Sequence, residues 1–276
     1  MKSFAIFVMA VLSSLVSAGY GQTQTELNLE VFDLMGGVNY NEETGKANEA
    51  SGYYPWLEGK YRPFWLVGQE TEIGFGFFAQ GEYPFGSSNG ADYKNLQVSG
   101  GLNFFLKRPG WIADLDVGGG RLLWAKVDKD LYESEQKEDN FLASAYIGLD
   151  SRRLDGNTFL PKTALNLSLR IPFNQSSKRN YGDNPLPSLV YDNRRWEVSL
   201  LQEIFDFRSG GWRITPGIGG GYGQESDPQK NFYKAGPSLS FYRDRNLFRF
   251  SVNYQEQLAG DKDRWYAKVF YWRHLE

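Results

Sequence analysis

Hydrophobic and polar residues alternate one by one through much of the chain, in runs of about ten residues separated by polar or glycine-rich connections. The clearest run is TALNLSLRIPF, in which Leu165, Leu167 and Leu169 alternate with Asn166 and Ser168. A period of two places successive side chains on opposite faces of a β-strand. Each run therefore predicts a strand with one apolar face and one polar face.

The segment GLNFFLKRPGWIADLDVGGG, residues 101–120, predicts how two such strands are joined. Leu102 and Leu106 precede the turn KRPG, and Leu115 and Val117 follow it with the same alternation. Two alternating runs on either side of a four-residue turn indicate an antiparallel hairpin. Runs of this kind along the whole chain predict twelve antiparallel strands.

The connections between these strands alternate in length. Counted from the N-terminus, the odd-numbered links are long and polar, as in NEETGKANEAS and VDKDLYESEQKED, and most even-numbered links are as short as KRPG, RSGG and RDRN. The link DSRRLDGNTFLPK is the exception. Long outer loops, short periplasmic turns and an even strand number are typical of a β-barrel that spans a membrane, with both termini in the periplasm.

The N-terminus carries an export signal. Met1 and Lys2 are followed by an apolar run from Ala5 to Leu12, and Val16 and Ala18 occupy the small-residue positions of a cleavage site. The run is shorter than the ~20 residues of a membrane-spanning helix. We therefore predict a signal peptide over residues 1–18, cleaved after Ala18, and a single barrel domain over residues 19–276.

Composition agrees with an exported all-β protein. Tyr, Phe and Trp make up 16% of the 276 residues, Gly contributes 31, and Cys is absent. Aromatic residues favour strands, and the absence of Cys excludes disulfides, thiolate metal sites and cysteine nucleophiles. The net charge of −3 gives no reason to expect nucleic acid as a partner. The mean hydropathy of −0.50 would alone suggest a soluble protein, but only one face of each strand is apolar.

We expect an antiparallel up-and-down transmembrane β-barrel of about twelve strands, because a closed sheet satisfies every backbone hydrogen bond in lipid. The apolar faces would then contact lipid and the polar faces would line the interior. Aromatic residues near the predicted strand ends would form membrane-interface girdles. The alternative, that they form the core of a soluble β-domain, stays open, but the signal peptide, the even strand count and the loop alternation favour the membrane. They are Tyr53, Tyr54, Trp56, Trp65, Tyr83, Phe85, Trp111, Trp124, Trp196, Trp212, Tyr222, Tyr233, Trp265 and Trp272. In the last strand, two sets of residues compete for the lipid-facing side: one is Trp265, Ala267, Val269 and Tyr271, and the other is Tyr266, Phe270 and Trp272.

In these features the chain resembles bacterial outer-membrane β-barrel proteins as a class, over nearly all of the mature chain and by pattern rather than by a motif. The resemblance implies location in the bacterial outer membrane and contact with its lipid, with lipopolysaccharide and with the barrel-assembly machinery. Small barrels in this class include nucleoside channels, acidic-oligosaccharide porins and a phospholipase. The class usually ends on an aromatic residue, whereas this chain ends with Leu275 and Glu276 after FYWRH.

Candidate chemistry is sparse. Barrel enzymes of this class use a His base, and the sole His is His274, two residues from the C-terminus. Asp114 and Asp116 share a strand face ~7 Å apart, a weaker candidate for a glycosidase pair or a cation site. The glycine-rich stretch 217–223 lacks the strand-turn-helix context of a nucleotide-binding loop. We therefore expect no enzymatic activity, no cofactor and no metal.

The polar strand faces hold the remaining information. Their charges are mixed, which argues against strong ion selectivity. The leading hypothesis is a passive channel for small polar solutes, sugars among the candidates. The alternative is a non-conducting barrel that anchors or assists a surface-polymer export or secretion apparatus. The candidate pore-lining residues are Glu58, Lys60, Arg62, Asp114, Asp116, Tyr146, Arg170, Glu197, Arg213, Tyr242 and Arg249.

Overall fold

The structure is a computed structural model, and its regular elements are all β-strands within the part of the chain it describes. The described residues are 25–28, 32–45, 50–67, 70–88, 91–128, 135–150, 162–178, 195–226, 229–257 and 262–275. The predicted signal peptide, residues 1–18, lies outside them. The described residues include no helix of the length and apolar character needed to cross a membrane.

Twelve antiparallel strands make up the fold, and four of them are interrupted by a few residues. They are β1 (Thr25–Asn28 and Phe32–Gly45), β2 (Ala50–Tyr61 and Phe64–Val67), β3 (Thr71–Glu82 and Phe85–Ser88), β4 (Ala91–Arg108), β5 (Trp111–Asp128), β6 (Glu135–Leu149), β7 (Lys162–Lys178), β8 (Arg195–Glu203 and Phe207–Ser209), β9 (Trp212–Ser226), β10 (Gln229–Arg243), β11 (Asn246–Gln257) and β12 (Lys262–Leu275).

The sheet closes on itself. Each strand pairs with the next, and β12 pairs with β1 along a register in which Val269 lies opposite Val38 and Leu275 opposite Phe32. Closure removes the edges that would expose unpaired backbone groups to hydrocarbon. The predicted twelve-strand antiparallel barrel is therefore confirmed. We call the end where β1 begins and β12 finishes the turn end, and the opposite end the loop end.

Three predicted turns are tight two-residue connections at the turn end. Gly110 has φ 84°, Gly210 and Gly211 have φ 56° and 79°, and Asp244 has φ 51°. Positive φ matches the twist of the flanking strands in such hairpins, and Gly or Asp adopts it most easily. The turns KRPG, RSGG and RDRN thus close the pairs β4/β5, β8/β9 and β10/β11.

At the loop end the strands run further than the sequence predicted. The presumed loop NEETGKANEAS is strand up to Gly45 and again from Ala50, and β4 and β5 continue to Ala91 and Asp128. A hairpin in register can extend its hydrogen-bond ladder even where both faces are polar and solvated. The prediction that these segments are loops was therefore wrong. Residues 129–134 and 179–194 lie outside the described residues.

The outer face of the barrel is apolar. Side chains such as Phe77, Leu167 and Val269 are 56%, 40% and 44% exposed there. In β12 the outward set is therefore the one that contains Val269, which decides the ambiguity left by the sequence. Rings cluster near both ends, with Tyr53 and Phe85 5.5 Å apart toward the loop end and Phe248 and Tyr271 4.6 Å apart toward the turn end.

Glycines on the inner face let the wall bend sharply between β4 and β5. Gly101 and Gly118 lie opposite each other in the register. A Cβ on Gly101 would lie 2.3 Å from the Val117 carbonyl oxygen, and one on Gly118 would lie 2.3 Å from that of Gly100. No side chain fits at such separations. This bend lies beside Asn103 and Asp116, which belong to the interior network described next.

Candidate functional site

The polar strand faces point into the barrel. Lys60 on β2 reaches Asp116 on β5, with Nζ 2.6 Å from Oδ2, although β3 and β4 lie between these strands. Such a contact is possible only across the interior. By strand alternation, every candidate residue from the sequence lies on this inner face: Glu58, Lys60, Arg62, Asp114, Asp116, Tyr146, Arg170, Glu197, Arg213, Tyr242 and Arg249.

Lys60 is at the centre of the first interior cluster, near the turn end. Its ammonium lies 2.6 Å from Asp116 and 3.5 Å from both Asp114 and Glu58. Asn103 donates hydrogen bonds of 2.5 and 2.6 Å to Asp114 and Asp116. The Lys60 side chain is only 8% exposed, so its charge depends on these partners for compensation.

Arg62 extends the same cluster toward β1. Its guanidinium donates to Asp114 at 2.6 Å and also pairs with Asp33, whose side chain is fully buried. The Phe105 ring lies beneath it, 5.1 Å from Cζ. We call Asp33, Glu58, Lys60, Arg62, Asn103, Asp114 and Asp116 the acidic network, because carboxylates outnumber cations in it. Within it, Asp114 and Asp116 accept bonds from several donors, which disfavours the glycosidase alternative.

A second cluster occupies the opposite side of the turn end, around Glu203. This carboxylate is fully buried, accepts a hydrogen bond from the Tyr242 hydroxyl and lies 3.5 Å from the Arg249 guanidinium. Arg249 in turn donates to Ser240 at 2.8 Å. Arg213 stacks on the Tyr242 ring, with Cζ 4.0 Å from the centroid. These contacts join β8, β9, β10 and β11 at one level.

A third cluster lies closer to the loop end and spans β8 to β10. Glu197 pairs with Lys234 and accepts a 2.9 Å bond from Arg195. Arg195 also packs over Phe232, which is fully buried, with Cζ 5.0 Å from the ring centroid. The intervening strand β9 presents glycines inward here, which leaves room for these long side chains.

Two other inward cations lack such pairing. Arg170 on β7 and Lys268 on β12 have no ion pair among the described residues. Lys268 is an exposed residue whose ammonium lies 5.4 Å from the Trp56 ring and 5.8 Å from the Phe270 ring. Tyr146, the remaining candidate, lies on the inner face of β6.

Inward charges are distributed unequally around the wall. On β1 to β6 carboxylates predominate: Asp33, Glu58, Glu72, Glu82, Asp114 and Asp116 face Lys60, Arg62 and Lys107. On β7 to β12 cations predominate among the described side chains: Lys162, Arg170, Arg195, Arg213, Lys234, Arg249, Arg264 and Lys268 share this part of the interior with Glu197, Glu203 and the buried Asp206. We call these the acidic half and the basic half. The inward charges that are mixed along the sequence are therefore separated by sign in the folded barrel.

Part of the interior is open to solvent. Asn166 and Ser168 on β7 point inward and are exposed, as is Lys268 on β12. The acidic network, by contrast, is packed and nearly inaccessible. Polar side chains that are both inward and exposed show that side chains do not fill the interior along the basic half.

Asp33 was missed from the sequence, although it shares the inward parity of the named candidates, so the alternation contained the signal for it. The sequence placed Glu203 and Lys268 on the polar strand faces but not among the pore-lining candidates. Trp56 was assigned to a girdle, which is wrong, because it lies inside with Lys268. By the same alternation Tyr54 and Trp272 also face inward. The Trp124 and His274 side chains lie outside the described residues.

Solved structures with a similar fold are bacterial outer-membrane barrels. The β domain of the autotransporter BrkA from Bordetella superimposes with a TM-score of 0.57 at 12% identity, over 89% of this chain and 99% of that one. The translocator domain of NalP from Neisseria meningitidis gives a TM-score of 0.51 at 10% identity, over 99% of this chain and 96% of that one. An outer membrane channel from Pseudomonas putida gives a TM-score of 0.51 at 10% identity, over 91% of this chain and 97% of that one.

The chain has the fold of a bacterial outer-membrane β-barrel. A closed barrel with this apolar outer face resides in the outer membrane, in contact with its lipids. No family model and no curated protein sequence matches the chain. The structural neighbours are channels and translocator barrels rather than enzymes. Within the described residues, no three or more His, Cys, Asp or Glu side chains are grouped to hold a metal ion.

Proposed function

We propose that this protein is an outer-membrane channel for the passive passage of small polar solutes, sugars among them. The supporting observation is the set of inward, exposed polar residues on the basic half, Asn166, Ser168 and Lys268. An interior that hydrates polar groups gives a solute hydrogen-bond partners along its path. Twelve strands make a barrel wider than one filled by its own side chains, which occurs at about eight. Export and insertion would involve lipopolysaccharide and the barrel-assembly machinery.

Single-channel conductance tests the proposal. Residues 19–276 are refolded in detergent, folding is verified by a heat-sensitive shift in gel mobility, and the barrel is added to a planar bilayer. We expect stable, ion-permeable openings. A folded barrel that never conducts would refute the channel.

A matched pair of variants on β7 locates the conducting path. Ser168→Trp places a bulky ring in the lumen and is expected to reduce conductance by roughly half or more. Leu167→Trp adds a ring to the neighbouring position on the lipid-facing side and is expected to leave conductance unchanged. Equal effects of the two variants would contradict a path through the barrel interior.

The acidic network supports a second candidate function, a non-conducting barrel that anchors or assists an export apparatus. Its buried side chains fill the interior between β2 and β5 at the turn end. If they close the lumen, the wild type conducts nothing and Asp116→Ala, which removes the carboxylate nearest Lys60, opens it. Openings in the wild type would exclude this alternative.

A further inference from the structure

The basic half holds two arginines that face each other. Arg170 on β7 lies directly opposite Arg195 on β8, on the same inner face. Like charges at opposed positions destabilise a sheet. Arg195 bonds Glu197, but Arg170 has no carboxylate partner among the described residues. An anion between the two guanidinium groups would relieve the repulsion, since each offers a planar set of donors suited to carboxylate or phosphate.

Lys268 presents a second uncompensated charge, on a different strand. The residue is exposed, and its ammonium lies beside the rings of Trp56 and Phe270, which stack on each other with centroids 6.0 Å apart. Two further inward cations, Lys234 and Arg249, belong to the same half of the wall. The surroundings are thus cationic and aromatic together. Such a site attracts the charge of an organic anion while the rings contact its carbon skeleton.

We infer that the basic half binds small organic anions, whose carboxylate or phosphate groups contact Arg170 on β7 or Lys268 on β12. This inference deepens the proposed function by naming the solute class. The charge separation supports it, because the acidic half repels an anion from the opposite wall while its Lys60 and Arg62 are engaged in buried ion pairs. A solute of this class would therefore follow the β7–β12 side of the lumen.

Ion selectivity is the first test. A potassium chloride gradient across the bilayer is expected to give a reversal potential that favours chloride in the wild type. The double variant Arg170→Gln/Lys268→Met is expected to lower the chloride-to-potassium permeability ratio by about threefold or more. Lys94→Gln, which removes an exposed lysine from the outer face of β4, should leave the ratio unchanged.

Equilibrium binding is the second test, and it does not require conduction. Calorimetric titration of the detergent-folded barrel compares glucuronate and glucose 6-phosphate with uncharged glucose. We expect both anions to bind and glucose to bind more weakly. In the double variant, affinity for the anions should fall about tenfold or more, whereas Lys94→Gln should bind as the wild type does. The carboxylate and phosphate arms reveal which group the site prefers.

The two tests separate failure of the inference from failure of the channel. Openings without chloride preference, together with equal binding of glucuronate and glucose, would overturn the anion site and leave the channel intact. Anion binding without any openings would refute the channel and support the site. Anion binding that the double variant retains would overturn the assignment to Arg170 and Lys268.

Discussion

The acidic and basic halves of the wall treat inward charge in opposite ways. In the acidic half, Lys60 and Arg62 reach across the interior to carboxylates, and all of these side chains are buried. In the basic half, Arg170 and Lys268 have no ion pair among the described residues, and Lys268 is exposed. Charges of the first kind fix the positions of strands relative to one another. Charges of the second kind remain accessible to a solute.

The same substitution in each half gives the largest expected contrast. Lys60→Met leaves Asp114, Asp116 and Glu58 buried without their shared cation, and we expect a loss of about 3–5 kcal/mol in the free energy of unfolding. Lys268→Met removes an exposed cation with no ion pair and should change that energy by less than about 0.5 kcal/mol. Denaturant titration in lipid vesicles, followed by tryptophan fluorescence, measures both. Equal losses would contradict the division into two halves.

Glu203 is a fully buried anion of the basic half, and its removal tests whether that half also depends on ion pairing. Glu203→Gln keeps the volume but removes the charge that faces Arg249 and Tyr242. We expect destabilisation of about 1.5–3 kcal/mol, the range for hydrogen bonds to a charged group. Because Arg249→Met removes the same interaction, the double variant should lose less than the sum of the two single losses. Strict additivity would show that the contact contributes nothing.

The bend between β4 and β5 supports the acidic half, and a methyl group tests it. Gly118→Ala would place Cβ 2.3 Å from the Gly100 carbonyl oxygen, so the strands must separate beside Asp116. We expect a loss of about 1–3 kcal/mol in unfolding free energy. Gly81→Ala is the control, because a Cβ there meets nothing within 4 Å. A control variant as unstable as Gly118→Ala would attribute the effect to β-strand glycine in general.

A small effect is also expected on the outer face of the barrel. Arg121 forms a two-point contact with Asp139, at 2.6 and 3.1 Å, but its side chain is 64% exposed. An exposed ion pair contributes up to about 1 kcal/mol. Arg121→Ala should therefore change the unfolding free energy by no more than that in the same titration. A loss near that of Lys60→Met would show that burial does not explain the strength of the acidic network.

Local alternation was sufficient to predict the strands and, except in β12 and around Trp56, their inner and outer faces. The pattern around Leu165, Leu167 and Leu169 is a property of neighbouring residues, and a strand with one apolar face needs no distant partner to be identified. The turn residues Gly110, Gly210 and Gly211 were equally local, since their backbone conformation favours glycine. The loop end was less predictable, because its polar strands continue for reasons of pairing rather than of hydrophobicity.

The sequence by itself determined the closed antiparallel barrel, the strand number and the inward parity of the candidate residues, because each follows from a period of two and from turn chemistry. Only the tertiary structure decided which inward residues meet. Lys60 and Asp116 are 56 positions apart in the sequence, and two strands lie between the strands that carry them. Trp56 faces the lumen with Lys268 rather than the membrane interface. Such meetings depend on barrel closure, on strand register and on bends such as the one at Gly118. The division into an acidic and a basic half arises in the same way, since charges scattered along the chain are grouped only when the sheet closes.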